Sequence, residues 1–206
     1  MINLVECFYS IQGEGYNFGM ECVFVRVSDC NLNCPWCDTD WKKANFSYNS
    51  FDEFYNANID ETNQIRNVII TGGEPTKHQE QFDCLVNGFI NKGWKVHVET
   101  NGLNEIDRND IWISTSPKII FSALYKKKMI KRANEVRVVI DPKIDIPKQI
   151  EALRYFKNNI KADRYYLSPC EVEGKFNFDL LAIIYDVVKE EGWNISIQLH
   201  KLMKVR

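Results

Sequence analysis

The 206-residue sequence is poor in several things, and each shortage excludes something. No apolar run approaches the ~20 residues that a membrane-spanning helix needs. The first residues hold no basic segment, and Glu6 interrupts their apolar pattern, so they do not read as a signal peptide. Charge excess is nearly absent: the formal net charge is −2, which gives no electrostatic reason to expect nucleic acid or a membrane surface as a partner. The one dense basic run, Lys126-Lys127-Lys128 with Lys131-Arg132, is expected to be a solvated helix face. There is no internal repeat, low-complexity segment or linker, so residues 1–206 are expected to form a single domain with one core. The chain is also shorter than the ~250 residues typical of a closed eight-stranded barrel. Seven cysteines, an odd number in a chain without an export signal, argue for a reducing cytoplasm and against a disulfide framework. Of these, Cys7, Cys22, Cys84 and Cys170 lie in apolar or mixed patterns and read as small buried groups.

What is present has a clear rhythm. Ile2 to Phe8 reads as a strand, followed by the polar, glycine-rich Gln12-Gly13-Glu14-Gly15. Glu21 to Val27 alternates as a strand should, with Arg26 sharing a face with Cys22 and Phe24. Ser50-Phe51-Asp52-Glu53 is a capping-box sequence that should open a helix. Val68-Ile69-Ile70 is a short buried strand. Phe82, Leu85, Val86, Phe89 and Ile90 then fall at helical spacing, with Gly93 placed to close the helix. Further strands are expected at Trp94–Val98, around Ile111–Ile113, at Glu135–Ile140, at Tyr165–Leu167 and from Trp193 to Leu199. Helices are expected from about Tyr125 to Ala133, from Pro147 to about Asn158, and from Phe178 to Glu191. Strands alternating with helices predict an α/β fold with a parallel sheet and right-handed crossovers. At this length the form expected is an incomplete, open-sided parallel (β/α) barrel of about six strands. Four polar segments follow strand ends: Thr71–Pro75, Glu99–Gly102, Ser114–Lys118 and Ser168–Cys170. Ligands bind at that edge of parallel α/β folds.

The densest chemistry is Cys30-Asn-Leu-Asn-Cys34-Pro-Trp-Cys37, spaced C-x3-C-x2-C on what must be a loop. Thiolates are soft ligands suited to iron–sulfur clusters, zinc or copper(I). A closed structural zinc site takes four protein ligands. No fourth Cys or His is near in sequence, the next being His78 and Cys84. Three thiolates on a 4Fe-4S cluster would leave one iron open. Zinc with a distant fourth ligand, and buried thiols, are the alternatives.

The cysteine spacing, with aromatic Trp36 before the third cysteine, resembles the radical S-adenosylmethionine (SAM) superfamily, whose fold is the same open barrel. Phe8-Tyr9-Ser10-Ile11-Gln12-Gly13-Glu14-Gly15, Arg26 and Cys37-Asp38-Thr39 narrow the resemblance to the 7-carboxy-7-deazaguanine synthases. The resemblance runs from Phe8 to the end of the chain. It implies a ring-contracting carbon–nitrogen lyase in queuosine and other 7-deazapurine biosynthesis, converting 6-carboxy-5,6,7,8-tetrahydropterin to 7-carboxy-7-deazaguanine. The implied cofactors are a 4Fe-4S cluster on Cys30, Cys34 and Cys37, S-adenosyl-L-methionine, and Mg²⁺ at Thr39.

By the same resemblance Trp36, Cys37 and Asp38 lie against SAM. Gly72-Gly73-Glu74-Pro75 holds its amino group, and Thr100 and Asn101 are further contacts, as are Ser116-Pro117-Lys118. Ser168-Pro169-Cys170-Glu171 stands where the family often has Gln-Pro and a hydrophobic residue, and Ser28-Asp29 stands where a small residue and Gly are usual. Ile11, Gln12, Gly13, Glu14, Arg26 and Thr71 are implied at the substrate, with His200 and the terminal carboxylate of Arg206 closing over it. Gln and Glu side chains read a flat edge of donors and acceptors, and Arg takes a carboxylate bidentately. An electron donor such as flavodoxin or ferredoxin and a homodimer are the expected partners. A glycyl-radical activase would share the cysteines and the Gly-Gly-Glu-Pro stretch without needing Gln12, Glu14, Arg26 or Thr39. A zinc-stabilised interaction module is the non-enzymatic alternative.

Overall fold

The structure, a computed structural model, describes residues 1–37, 39–172 and 174–203, the side chain of Val172 excepted. By internal contacts the chain divides into two compact units. The first comprises Met1–Gln12, Gly19–Thr100 and Arg108–Trp112; the second comprises Gly13–Phe18, Asn101–Asp107 and Ile113–Arg206. Among the described residues no helix is long and apolar enough to cross a membrane.

The first unit holds β1 (Ile2–Ile11), β2 (Glu21–Val27), β3 (Phe46–Tyr48), α1 (Phe51–Asn58), β4 (Asn67–Gly72), α2 (Gln79–Asn91) and β5 (Lys95–Thr100). Its strands lie in the order β3-β1-β2-β4-β5. β2, β4 and β5 run parallel, with Arg26 beside Thr71 and Ile70 beside Val98. Strands buried on both faces need continuous apolar runs, and Val68, Ile69 and Ile70 are fully buried as that requires. β1 runs three residues beyond the expected end because Cys7 to Ile11 pair antiparallel with β2. α2 buries Phe82, Leu85, Val86 and Phe89, the stripe its spacing predicts. It ends as foreseen at Gly93, whose φ is +79°. There Gly93 N–H donates to Ile90 and Trp94 N–H to Phe89, the paired bonds of a Schellman motif. Phe51, Phe54, Tyr55, Phe89 and Trp94 pack edge to face around the two helices.

The second unit holds β6 (Trp112–Thr115, less its first residue), α3 (Ser122–Tyr125), β7 (Glu135–Ile140), α4 (Ile146–Asn159), β8 (Arg164–Pro169), β9 (Glu171–Val172), β10 (Lys175–Phe176), α5 (Phe178–Val188), β11 (Trp193–Ile195) and α6 (Leu199–Met203). β6, β7, β8 and β11 are neighbours in that order and parallel; β9 and β10 form a separate antiparallel hairpin. Among the described residues, three strands of the first unit and four of the second take part in parallel pairing, against the expected six or so.

Two expected elements differ. The helix expected over Tyr125–Ala133 is instead the short α3, which ends at Tyr125. Beyond it Ile130 N–H donates to Gly102 and Lys131 N–H to the Glu105 carboxylate, so the backbone finds partners outside any helix. Met129 and Ile130 are buried at a spacing that mimics a helix. The basic run is solvent-exposed as expected, but on a turn. The strand expected from Trp193 to Leu199 stops at Ile195; Leu199 already begins α6.

Candidate functional site

In the first unit β2 delivers the chain to the cysteine loop. Asp29 opens that loop with φ +72°, the single non-glycine residue with positive φ among those described. Its N–H donates to Trp41 O, and its Oδ1 accepts from Cys30 N–H at 2.9 Å. Leu32 anchors the loop by burial and donates its N–H to Cys30 Sγ at 3.4 Å. Cys37 N–H donates to Cys34 O. Burial pushes the Cys30 thiol up; the Leu32 N–H opposes this, while the charges of Glu74, Cys34 and Cys37 add to it. Cys30 thus feels the charge of the other two cysteines, which a polycation would relieve.

Among the described residues no three His, Cys, Asp or Glu side chains gather closely enough to hold one metal ion. A single tetrahedral zinc, with Zn–S near 2.3 Å, would need its sulfurs within ~4 Å of each other. A cluster takes each thiolate on a different iron and asks only that the three share a loop. The donor set of three soft ligands on one loop fits a cluster.

Gly72 and Gly73 lie directly beside this loop. A Cβ on Gly73 would stand 1.8 Å from Asp29 O, and Glu74 N–H donates to that same oxygen at 2.8 Å. The glycines therefore let the turn approach the cysteine loop itself. Glu74 is almost fully buried, and its Oε1 accepts from Thr76 N–H, Thr76 Oγ1 and, at 2.7 Å, Thr100 Oγ1. Thr100, expected at SAM, here orients the Glu74 carboxylate. Pro75 begins a 3-10 turn ending at Lys77. Lys77 and His78 both reach the Asp29 carboxylate, and the Lys77 bond holds that carboxyl below its usual range.

Gln12 and Thr71, both buried, are brought together by Glu99, the first residue of one of the expected strand-end segments. Gln12 Nε2 donates to Glu99 Oε1 at 2.9 Å, and Thr71 Oγ1 donates to Glu99 Oε2 at 3.2 Å. Ile11, half-buried, ends β1 just before this group. The Glu99 charge reaches Cys22, whose thiol is pushed up to about 12, chiefly by burial. Arg26 is held by the chain itself: Nε pairs with Glu6 at 2.9 Å, Nη1 donates to Thr39 Oγ1 at 3.2 Å, and the guanidinium lies over Phe8 and Phe24. Trp36 is half-buried, whereas Asp38 lies outside the described residues.

In the second unit the glycine-rich loop is fastened by buried charge. Glu14 Oε2 accepts from Arg137 Nη1 at 2.8 Å, and Oε1 accepts from Gln198 Nε2 at 2.6 Å. Arg137 Nε lies 3.2 Å from Glu135, which accepts from Ser114 Oγ and from Tyr16 N–H. Glu135 is 1% exposed and Arg137 5%, so each charge persists only through the other and its hydrogen bonds. Gly13 accepts from Leu199 N–H, and a Cβ on it would meet the His200 ring at 2.2 Å; two expected substrate residues are thus placed against each other. Arg206 lies outside the described residues.

The remaining strand ends of this unit carry the other expected SAM contacts. Lys118 Nζ donates to Ser116 Oγ at 2.8 Å, with Pro117 buried between them. Lys118 N–H donates to Tyr125 OH, which in turn donates to Asn101 O. Ser168 Oγ and Thr115 Oγ1 are buried without a hydrogen-bond partner among the described residues. An orphaned hydroxyl at a strand's C-terminal end fits a ligand that would satisfy it. Next to Pro169, Cys170 is buried, its thiol directed to Glu171 O at 3.6 Å, and Glu171 is paired with Lys201 at 3.1 Å.

A family profile for the 4Fe-4S single cluster domain matches residues 11–159. The chain is 41% identical, over 98% of its length, to a 7-carboxy-7-deazaguanine synthase of Haemophilus influenzae, and covers 93% of that protein. It is 38% identical, over 96% of its length, to one from Neisseria meningitidis, covering 91%. The chain belongs to the 7-carboxy-7-deazaguanine synthase family. Its backbone follows the crystal structure of QueE from Escherichia coli with a TM-score of 0.71, over 96% of this chain and 93% of that one; at 23% identity this likeness speaks for the fold. The fold is α/β with a mostly parallel sheet, like that of QueE. With a full-length family match, the activase and the zinc module have no remaining claim.

Glu135, Arg137 and Gln198 are not expected from the sequence, and Glu99 and Ser114 are expected only as members of strand-end segments, with no role of their own. A signal existed for three of them. Glu135 and Arg137 share one face of a strand expected to be buried on both sides, where charge needs a partner. Glu99 sits at a strand's C-terminal end, on the face of His97. Gln198 carried no signal.

Proposed function

We propose that this chain converts 6-carboxy-5,6,7,8-tetrahydropterin to 7-carboxy-7-deazaguanine with loss of ammonia. The observation that carries the reading is the Gln12–Glu99–Thr71 set, with Gln12 and Thr71 buried and Glu99 half-buried, standing in the same unit as the three thiols. An amide, a carboxylate and a hydroxyl fixed in one group can read a pterin's edge of donors and acceptors. An activase acting on a partner protein has no use for such a set. Cys30, Cys34 and Cys37 would hold the cluster. Glu74, oriented by Thr76 and Thr100, would take the amino group of SAM. Asn101, Lys118, Ser168 and neighbouring strand-end residues would line the rest of it. When bound, the cluster and SAM supply radical hydrogen abstraction.

The chain's own residues bind, orient and exclude water. Gln12, Thr71 and Glu14 would set the ring, with Ile11 and Gly13 beside them. Arg26 would take the substrate carboxylate, and His200 and Arg206 would close the site. Mg²⁺ at Thr39 has a stated cost: Arg26 already donates to that hydroxyl oxygen, and two cations cannot share it comfortably. With Mg²⁺ held at Thr39, Arg26 would be released from that oxygen and could serve the substrate carboxylate. A low-potential flavodoxin or ferredoxin would supply electrons in a reducing cytoplasm, and a homodimer is the expected assembly.

The test is anaerobic turnover of this pterin with SAM, Mg²⁺ and reductant, followed by mass spectrometry. A product lighter by ammonia, with SAM not consumed in proportion, is expected. Cleavage of SAM with the pterin unchanged would overturn the reading.

A further inference from the structure

We propose that Asp29 is a positioning residue that fastens the Gly-Gly-Glu turn to the cysteine loop, so that Glu74 and Cys30 keep one register. The inference rests on the reading that the cysteine loop holds a cluster and Glu74 holds SAM. Three observations carry it. First, Asp29 takes a left-handed backbone at φ +72°. Asp tolerates that region better than most residues but at some cost, and such a residue persists where its surroundings over-determine it. Second, its main chain is fixed on both sides: N–H to Trp41 O, and O from Glu74 N–H at 2.8 Å. Third, its carboxylate bridges the two elements. Oδ1 accepts from Cys30 N–H at 2.9 Å within the loop and from Lys77 Nζ at 2.6 Å outside it. Oδ2 lies 2.9 Å from His78 Nε2, and Lys77 Nζ also donates to Cys30 O at 3.3 Å.

The bridge joins a cluster ligand to the turn that carries Glu74. A glycine at position 29 would satisfy the backbone without strain and make none of the side-chain contacts. Glycine therefore separates the two roles of the residue. With the carboxylate gone, the turn keeps its main-chain bonds to the loop and the weaker Lys77 Nζ bond to Cys30 O, and the distance of Gly73 and Glu74 from the cluster is held less tightly. The chemistry that suffers first is the simultaneous grip of one small zwitterion by an iron and by Glu74.

The experiment compares wild type with Asp29→Gly, Lys77→Met and Lys77→Arg. In metal-free protein, amide exchange at Glu74 should quicken about tenfold in Asp29→Gly and Lys77→Met, while the global melt moves little. After anaerobic reconstitution all four proteins should bind about four irons. SAM affinity should fall about tenfold in the Gly and Met variants, and the electron paramagnetic resonance change that SAM induces in the reduced cluster should broaden. Lys77→Arg keeps the cation and should restore both readouts. Unchanged Glu74 exchange together with unchanged SAM affinity in Asp29→Gly would overturn the proposal. A wild-type protein that takes up iron but not SAM would sink the cofactor reading instead, and the Glu74 amide would still decide the bridge.

Discussion

Two regions of this molecule handle charge in opposite ways. The cysteine loop gathers groups that repel: Cys30 lies in the field of Cys34, Cys37 and Glu74. Around the thiols themselves the bonds are short in sequence, Leu32 N–H to Cys30 Sγ and Cys37 N–H to Cys34 O spanning two or three residues, with Asp29 tying the start of the loop to Lys77 and His78. The network on β7 gathers groups that attract: Arg137 stands between Glu135 and Glu14, with Ser114 and Gln198 completing the bonds. Its partners lie 123 and 184 residues apart in sequence. The first region presents donors to a guest; the second is satisfied within the chain. Function in the first should therefore be lost without loss of fold, and fold in the second should fail together with function.

The largest effect expected is complete. Cys34→Ala should abolish cluster retention and turnover, because two thiolates cannot hold a four-iron cluster in place. Urea unfolding of the metal-free variant should match wild type within about 0.5 kcal/mol, as for a partly exposed loop position. Iron and sulfide analysis checks the first expectation. Cys84→Ala and Cys170→Ala should keep their iron; loss in either would mean that the ligand set is wrong.

Next comes the network. Arg137→Met removes the cation from between two carboxylates, one of them 1% exposed. Breaking a buried pair on one side costs about 3–5 kcal/mol, because the remaining charge stays buried. Adding Glu135→Gln should recover part of the loss, since the amide carries no charge, its one oxygen can accept from Tyr16 N–H and its NH2 can donate to the Ser114 hydroxyl. Urea unfolding of the single and double variants reads the coupling. If Arg137→Met were as stable as Cys34→Ala, the contrast between the two regions would fail.

A smaller effect sits at His97 on β5. Burial drives its pKa down from 6.5 to about 4, with the Glu99 charge opposing and Lys95 assisting. The folded state thus disfavours the proton that the unfolded chain accepts. Its stabilising share is fully present above pH 6.5 and is lost as pH falls toward 4. At pH 5 the loss is on the order of 1–2 kcal/mol. His97→Phe keeps a ring against Trp112, 6.3 Å away in the native pair, and should flatten that part of the curve. Thermal melts at pH 7 and pH 5 measure it; equal slopes in the two proteins would remove His97 from the account.

The contrast also explains what could be read from the sequence. C-x3-C-x2-C, Gly72-Gly73-Glu74-Pro75 and the α2 stripe are local patterns, and local patterns survive in one dimension. The ends of α2 and α4 were legible for the same reason, through Gly93 and Pro147. The helix expected at Tyr125–Ala133 failed because Ile130 and Lys131 took backbone partners at Gly102 and Glu105, which no spacing announces. Glu14 was picked out, but its two partners were not. Arg26 is expected at the substrate, and the structure gives it an ion pair with Glu6, its cross-strand partner. The cross-strand register that pairs them was not deducible before β1 was known to run on to Ile11.

The smallest effect expected belongs to a purely local device and sharpens the contrast from the other side. Ser50-Phe51-Asp52-Glu53 was read as a capping box, and Ser50 Oγ accepts from Glu53 N–H at 3.1 Å at the start of α1. The reciprocal bond lands one residue earlier than the pattern implies: Glu53 Oε2 accepts from Asn49 N–H at 2.8 Å. Asp52 and Glu53 also place negative charge in the first turn, where the helix dipole favours it. Ser50→Ala removes an acceptor from an N–H that water can still reach, because the site is exposed. The cost should be about 1 kcal/mol, read as a shift of the urea midpoint with no change in slope. Iron content and SAM affinity should not move. Glu53→Ala should cost less, since its carboxylate bond is fully solvent-exposed. Because the cap and the dipole act on the same turn, the double variant should lose less than the sum of the two. A loss near that of Arg137→Met would mean that α1, through Phe54 and Tyr55, governs the stability of the first unit far more than an eight-residue helix should.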